Sequence, residues 1–293
     1  MSSSESKLGL YRFFIDTPPS VLYHYTSMEG LLGIVQSEKV RASDTRYLND
    51  ATESIYLFDL LKKHVLQRLG TTTGPDHNYY VELLAAFNNR KVWDVFVASF
   101  SEYGDSLSQW RAYSRDGIGF SIGFDSNSLK TGYVSDPFGG KSHFVTEQLA
   151  KVKYLDDYSD SILSELLDSS KEGAQAFGSL AGNVPLPDLA AGLVSLIAPT
   201  FKHRAFIEEY EWRLILSKVP ISMPGKRFRV GRSTLVPYVE AEPQMKESYF
   251  IKEVIVGPTP HPELSIEAVR GLFESRNHPE VMVRSSSVPY RHW

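Results

Sequence analysis

The sequence predicts an α+β protein, and three observations carry the prediction. Some stretches repeat apolar residues at helical spacing, as Leu31, Leu32 and Val35 do, or Ile55, Leu57, Phe58, Leu60, Leu61 and Val65. Others are short and β-branched or alternate with period two, such as Val92–Phe100 and Glu211–Val219. After a helical middle, the last third of the chain returns to strands.

Taken in order, a polar start gives way to Tyr11, Phe13 and Phe14, which need burial, and Pro18 and Pro19 then interrupt regular structure. Val21–Tyr25 reads as a strand. Thr26 or Ser27 caps a helix near Met28–Ser37, and the chain returns through Val40–Ala42. Asp50 stands three residues before Glu53 in an acidic variant of the capping box, so a second helix is expected over Ala51–Leu69. Gly70–His77 reads as a loop, Tyr79–Asn88 as a third helix and Val92–Phe100 as a buried strand. A turn around Gly104 leads into a short helix that Asp105 or Ser106 caps. Gly117–Phe124 alternates small and bulky residues, a strand whose glycines admit a close neighbour. Residues 125–199 read as an insertion of helices on the same core, near Ser159–Ala181 and Leu189–Ala198. Strands then follow at Glu211–Val219, Arg229–Pro237 and Tyr249–Gly257, with a helix near Ser265–Ser275 and a last strand at Val281–Arg284. No repeat or low-complexity linker divides the chain, so residues 1–293 are expected to form one domain.

Composition narrows the chemistry. The chain has 293 residues, 42% of them apolar, and its 31 basic and 35 acidic residues leave a formal charge of -4. That balance argues against general attraction to nucleic acid or an anionic membrane, so a polyanion would need a local basic patch. The absence of cysteine excludes disulfides, thiol nucleophiles and thiolate metal sites. With no signal-like apolar run and no span-length apolar stretch, a cytoplasmic protein without membrane contact is expected. There is no HExxH, GxSxG or P-loop, no dinucleotide-type glycine motif after a strand, and no histidine pair at ligand spacing, so no metal is expected.

The groups that can do chemistry cluster in a few places, and each has a bland reading beside the functional one. His24, between Tyr23 and Tyr25, is a strand-end donor or acceptor, or a satisfied structural residue. Arg41 and Arg46 can clamp phosphate, or coat a surface. Asn49 and Asp50 lie at a helix start, where capping alone explains Asp50. Ser99 and Ser101 place two hydroxyls on one face. Trp110, Arg111 and Tyr113 offer aromatic surface beside a cation, with a core role for Trp110 equally open. Glu209 and Glu211 place two carboxylates about 7 Å apart along an incoming strand, a costly arrangement unless basic groups such as Arg213 offset it. Lys226, Arg227, Arg229 and Arg232 form a basic loop, either a polyanion site or a solvated hairpin.

Together these motifs carry a resemblance. YHYTSMEGLLGIVQSEKVRASDTRYLNDATE, SFSEYGDSLSQWRAYSRDGIGFSIGF, KHRAFIEEYEWRLIL, IKEVIVGP and a terminal PYR resemble, in that order, the bacterial domain-of-unknown-function family 2971, over about Leu22–Phe124 and Phe201–Arg291. A looser likeness is to ADP-ribosyltransferases of the His-Tyr-Glu arrangement, with an opening similar to that of DarT-type enzymes that modify DNA. The two serines with the Glu-Tyr-Glu also resemble the Arg-Ser-Glu branch of that superfamily. The resemblance implies a mixed-sheet ADP-ribosyltransferase-like core and a glycosyltransferase that uses NAD as substrate. His24 would hold the ribose, Tyr113 would stack on nicotinamide and Glu211 would be the catalytic carboxylate. Tyr25, Thr26, Arg41, Arg46, Asn49, Ser99 and Ser101 would complete the NAD site, and Glu209, Arg213, Arg227 and Arg229 would meet a macromolecular acceptor, DNA or RNA among the candidates. A toxin or phage-defence effector, with an antitoxin or regulatory partner, fits such an activity, as does simple NAD hydrolysis. Two other readings stand beside it: a non-enzymatic nucleotide or nucleic-acid sensor using the same pocket, and a metal-independent nuclease.

Overall fold

A computed structural model of the chain describes residues 16–48, 53–89, 94–113, 118–129, 134–135, 141–142, 146–156, 160–178, 183–217, 226–231, 233–244 and 248–290. Its first unit is β1 (Val21–Thr26), α1 (Met28–Ser37) and β2 (Val40–Asp44). The Ser27 hydroxyl accepts from the Gly30 N–H at 3.2 Å, satisfying one of the free donors at the start of α1. Next come α2 (Glu53–Leu69) and α3 (Gly74–Asn88). The third helix begins inside the stretch expected as loop, because Pro75 occupies its first turn, where a missing N–H costs nothing.

The centre comprises β3 (Val95–Ser101), α4 (Leu107–Tyr113), β4 (Phe120–Asp125), β5 (Val134–Ser135), β6 (Lys141–Ser142), β7 (Thr146–Lys151), β8 (Lys153–Leu155), α5 (Asp160–Phe177) and α6 (Leu186–Ile197). The expected helical insertion therefore also supplies strands, and β7 lies antiparallel to β10 in the main sheet. Its sequence, TEQLAK, carries little strand signal of its own. Pairing with a neighbour decides its state. The chain ends with β9 (Phe201–His203), β10 (Glu211–Ser217), β11 (Arg227–Val230), β12 (Leu235–Ala241), β13 (Ile251–Val256), α7 (Pro262–Glu274) and β14 (Met282–Ser285). Where one strand was expected over Arg229–Pro237, β11 and β12 form a hairpin that turns beyond Gly231.

Twelve of the described strands form one mixed sheet, organised around β3. One edge of β3 pairs with β10 from Val95 to Ser101. The other edge is shared: β2 pairs at Phe96 and Val97, and β1 pairs at Ser101. Between those two neighbours the ladder is interrupted, and Ser99 lies in the gap. Strand alternation sends Phe96, Ala98, Phe100, Trp212, Leu214 and Leu216 to one core, covered by α1 and α7. Val95, Val97 and Ile215 point into the other, covered by α2, α3, α5 and α6. The face of β10 expected to carry Glu211, Arg213 and Ile215 is as buried as its apolar face. Among the described residues, no helix is long and apolar enough to cross a membrane.

Candidate functional site

A pocket of about 350 Å3, counting its open mouth, lies where β1, β3, α4 and the start of β10 meet. It is lined by Tyr23, His24, Tyr25, Ser99, Phe100, Ser101, Gln109, Tyr113, Glu209 and Glu211. Residues more than 180 positions apart thus come together, because β3 pairs with β1 on one edge and β10 on the other.

His24 sits at the interrupted ladder. Its Nδ1 is 2.9 Å from the Ser99 carbonyl oxygen, which only accepts, so Nδ1 carries the proton and donates. That fixes the neutral ring as the Nδ1–H tautomer and leaves Nε2 as an acceptor that no described residue bonds. Burial pushes the His24 pKa below its ordinary value and outweighs the opposing effect of the Ser99 carbonyl, so the ring is neutral near pH 7. Tyr23 and Tyr25 flank it on the opposite face of β1. The Tyr23 hydroxyl donates to Glu253 at 2.6 Å, and Tyr25 donates to the Tyr103 carbonyl at 2.8 Å while packing edge-on against Trp110. Gly104 has to be glycine, since a Cβ there would stand 2.4 Å from the Tyr23 ring.

Helix α4 carries Gln109 and Tyr113 to the pocket. Trp110 is fully buried, and its indole N–H donates to Asp105 at 2.8 Å. Asp105 or Ser106 was expected to cap this helix; the Asp105 carboxylate accepts from Trp110, Ser286 and Ser287, tying the C-terminal segment to the start of α4. Tyr113 is exposed at the mouth and donates to Glu209 at 3.2 Å.

The two glutamates are held differently from the strand arrangement expected for them. Glu209 ends a 3-10 turn, Tyr210 takes a left-handed conformation with φ 44°, and Glu211 opens β10. Both carboxylates then reach one buried lysine, Lys202, which is 1% exposed. Arg213 grips Glu211 with two bonds, Nε at 2.7 Å and a terminal nitrogen at 3.0 Å. The result is a buried quartet of two anions and two cations. Burial raises the Glu211 pKa, but Arg213, Lys202 and the Ser99 hydroxyl together outweigh it and hold the carboxyl below its ordinary value. Strand β9, paired with β8, delivers Lys202, and Tyr154 of β8 accepts the Glu211 N–H at 3.0 Å. The Ser101 hydroxyl donates to the Glu209 carbonyl at 2.8 Å.

Of the residues singled out in the sequence, His24, Tyr25, Ser99, Ser101, Tyr113, Glu209 and Glu211 line this pocket, and Arg213 stands directly behind Glu211. Thr26, Arg41, Arg46, Arg227 and Arg229 do not, and Asn49 lies outside the described residues. Arg46 is held by Asp44 and Asp94, and Asp94 is five residues from Ser99, about 16 Å at the rise of a strand. Arg41 and Arg227 flank Glu240 at 3.8 and 3.4 Å, while Arg229 donates to Ser43 at 3.2 Å. Burial and the charge of Arg41 depress the basicity of Arg229, a sign of cation crowded on cation. Sequence reasoning missed Lys202, Gln109 and Tyr154. Each lies in an ordinary polar position, and only Lys202 carried a signal, as the cation a buried pair of carboxylates requires.

The family model described as protein of unknown function (DUF2971) matches residues 109–214. No curated protein and no solved structure matches. The matched span starts at Gln109, includes Tyr113, the middle that was expected outside the resemblance, and the charged quartet, and leaves β1 and β3 before it. Through residues 109–214, the chain is similar to the DUF2971 family.

Proposed function

We propose that the pocket takes the nicotinamide-ribose end of NAD and that the protein breaks the N-glycosidic bond there, transferring ADP-ribose to a macromolecular acceptor or to water. The observation that carries this reading is the convergence of His24 of β1, the serines of β3 and the Glu209–Glu211 pair at the turn into β10 around one opening.

The chemistry assigned to these groups is simple. The C–N bond breaks with its electron pair leaving on nicotinamide, and positive charge develops on the ribosyl carbon. An acceptor lone pair then forms the new bond and its proton is lost. A carboxylate beside that carbon stabilises the charge. Glu209 is the better placed to act directly, because Glu211 is saturated by Arg213, Lys202 and Ser99, whereas Glu209 has a side chain 15% exposed. Glu211 then organises the charge balance behind it. His24 Nε2 offers an acceptor to a ribose hydroxyl, and Tyr113 supplies an aromatic wall at the mouth.

The arginines outside the pocket suit the acceptor. Ser43 pairs with Val97, so Arg41 and Ser43 share the sheet face of Ser99 and Ser101, and β11 adds Arg227 and Arg229 to that face. Arg41 and Arg227 share Glu240, and Arg229 lies close enough to Arg41 to feel its charge, which leaves local positive charge for a phosphate-bearing acceptor such as DNA or RNA.

Incubation with NAD labelled on adenine, alone and with protein or nucleic-acid mixtures, tests the reading. Wild type should release nicotinamide, and Glu209→Gln should lose at least tenfold in rate while still showing the circular dichroism of the folded protein at the assay temperature. No nicotinamide release and no labelled product in any mixture would refute it.

A further inference from the structure

Gln109 is a largely buried residue whose amide opens onto the pocket. It lies on the inner side of α4, is 6% exposed and lines the cavity beside Tyr25, Phe100 and Tyr113. Its neighbours in the helix have structural duties: Trp110 is fixed by Asp105, and the Arg111 guanidinium lies 5.1 Å over the ring of Tyr290. By contrast, no described residue hydrogen-bonds the Gln109 side chain. A primary amide offers two N–H donors and a twice-accepting oxygen, and here they are available to whatever enters the opening. A side chain held this firmly by its surroundings, with its amide left to the cavity, is preorganised to bind a ligand there.

The rest of the pocket wall limits what that partner is. Tyr23, Tyr25, Phe100 and Tyr113 present ring surface, suited to a flat ligand. The carboxylates are neutralised by Lys202 and Arg213, so an anionic group on the ligand gains nothing from them. A neutral planar group with an adjacent donor and acceptor is the complement of a glutamine amide, since two hydrogen bonds then form in one plane.

We propose that Gln109 is the specificity-determining residue of the pocket, pairing through both its amide atoms with the carboxamide of a nicotinamide ring. This rests on the NAD reading above and extends it to a residue that selects nicotinamide over its acid. A nucleobase edge presents the same donor-acceptor pair, and the arms of the test separate the two.

Binding of nicotinamide, nicotinic acid, adenosine and NAD is measured by calorimetry with wild type, Gln109→Leu and Gln109→Glu. Wild type should bind nicotinamide and NAD, and nicotinic acid at least tenfold more weakly. Gln109→Leu, close in volume, should lose about 10- to 100-fold in nicotinamide affinity, the effect of leaving polar groups unpaired in a closed site. It should also shrink the preference for nicotinamide over nicotinic acid, which a merely structural role would leave unchanged. Gln109→Glu keeps the acceptor and loses the donor, so it should bind nicotinamide more weakly than wild type and reject nicotinic acid. NAD binding that is unchanged in both variants would overturn the role of Gln109 while leaving the NAD reading intact. Binding of adenosine alone, lost in Gln109→Leu, would overturn the nicotinamide assignment in favour of a nucleobase. Absence of binding by any of the four compounds to wild type would overturn both.

Discussion

Substituting Glu211→Gln removes one negative charge from a cluster that is neutral as a whole, leaving Lys202 and Arg213 to share Glu209. Lys202, Arg213 and Glu211 are 1%, 2% and 5% exposed, so solvent does little to screen the excess charge. Removing one partner of a buried ion pair costs about 3–5 kcal/mol, because the remaining charge keeps its desolvation without its counterion. With an unfolding entropy of about 2.1 cal/mol/K per residue, that loss lowers the melting temperature of a chain this size by about 5–8 °C. Thermal unfolding followed by circular dichroism at pH 7 measures it. The substitution Lys202→Met should also destabilise, but combined with Glu211→Gln it restores neutrality between Glu209 and Arg213. The double variant should therefore melt higher than additive losses predict, by the equivalent of about 0.5–3 kcal/mol. A Glu211→Gln protein melting within about 1 °C of wild type, or losses that simply add, would refute the coupled quartet.

Two further outcomes follow from the same geometry. The Glu211 carboxyl titrates below its ordinary value of 4.5 in the folded chain, so the stability its ionisation contributes is complete above pH 4.5 and is lost as pH falls through the depressed value; melting curves of wild type should drop more steeply than those of Glu211→Gln on acidification below pH 4.5, and parallel curves would contradict this. Gly104→Ala drives a methyl against Tyr23, whose ring is anchored by its hydroxyl on Glu253, and should cost about 1–3 kcal/mol, or about 2–5 °C in melting temperature, with a variant as stable as wild type as the contrary result.

Local signals were readable where local physics decides the structure. Ser27 caps α1 because a hydroxyl two or three residues ahead of free N–H groups satisfies them whatever the rest of the chain does. The alternation in Glu211–Ser217 separated Trp212, Leu214 and Leu216 from Arg213 and Ile215 correctly, since strand geometry allows no other division. Signals failed where a partner distant in sequence decides. Strand β7 exists through β10, and the basic residues Arg41, Arg46, Arg227 and Arg229 found carboxylate or hydroxyl partners away from the pocket.

The same division runs through the candidate site. The sequence by itself determined the α+β class, the strands that carry His24, Ser99, Ser101 and Glu211, and the need for a cation beside two neighbouring carboxylates. Only the tertiary structure decided that β3 has β1 at one edge and β10 at the other, which puts those residues around one opening. It also decided that Lys202 joins Arg213 as the compensating charge and that Gln109 is buried at the pocket without a partner among the described residues. The physical reason is range. Caps and alternation act within a few residues, whereas desolvation and charge pairing depend on which segments the sheet brings into contact.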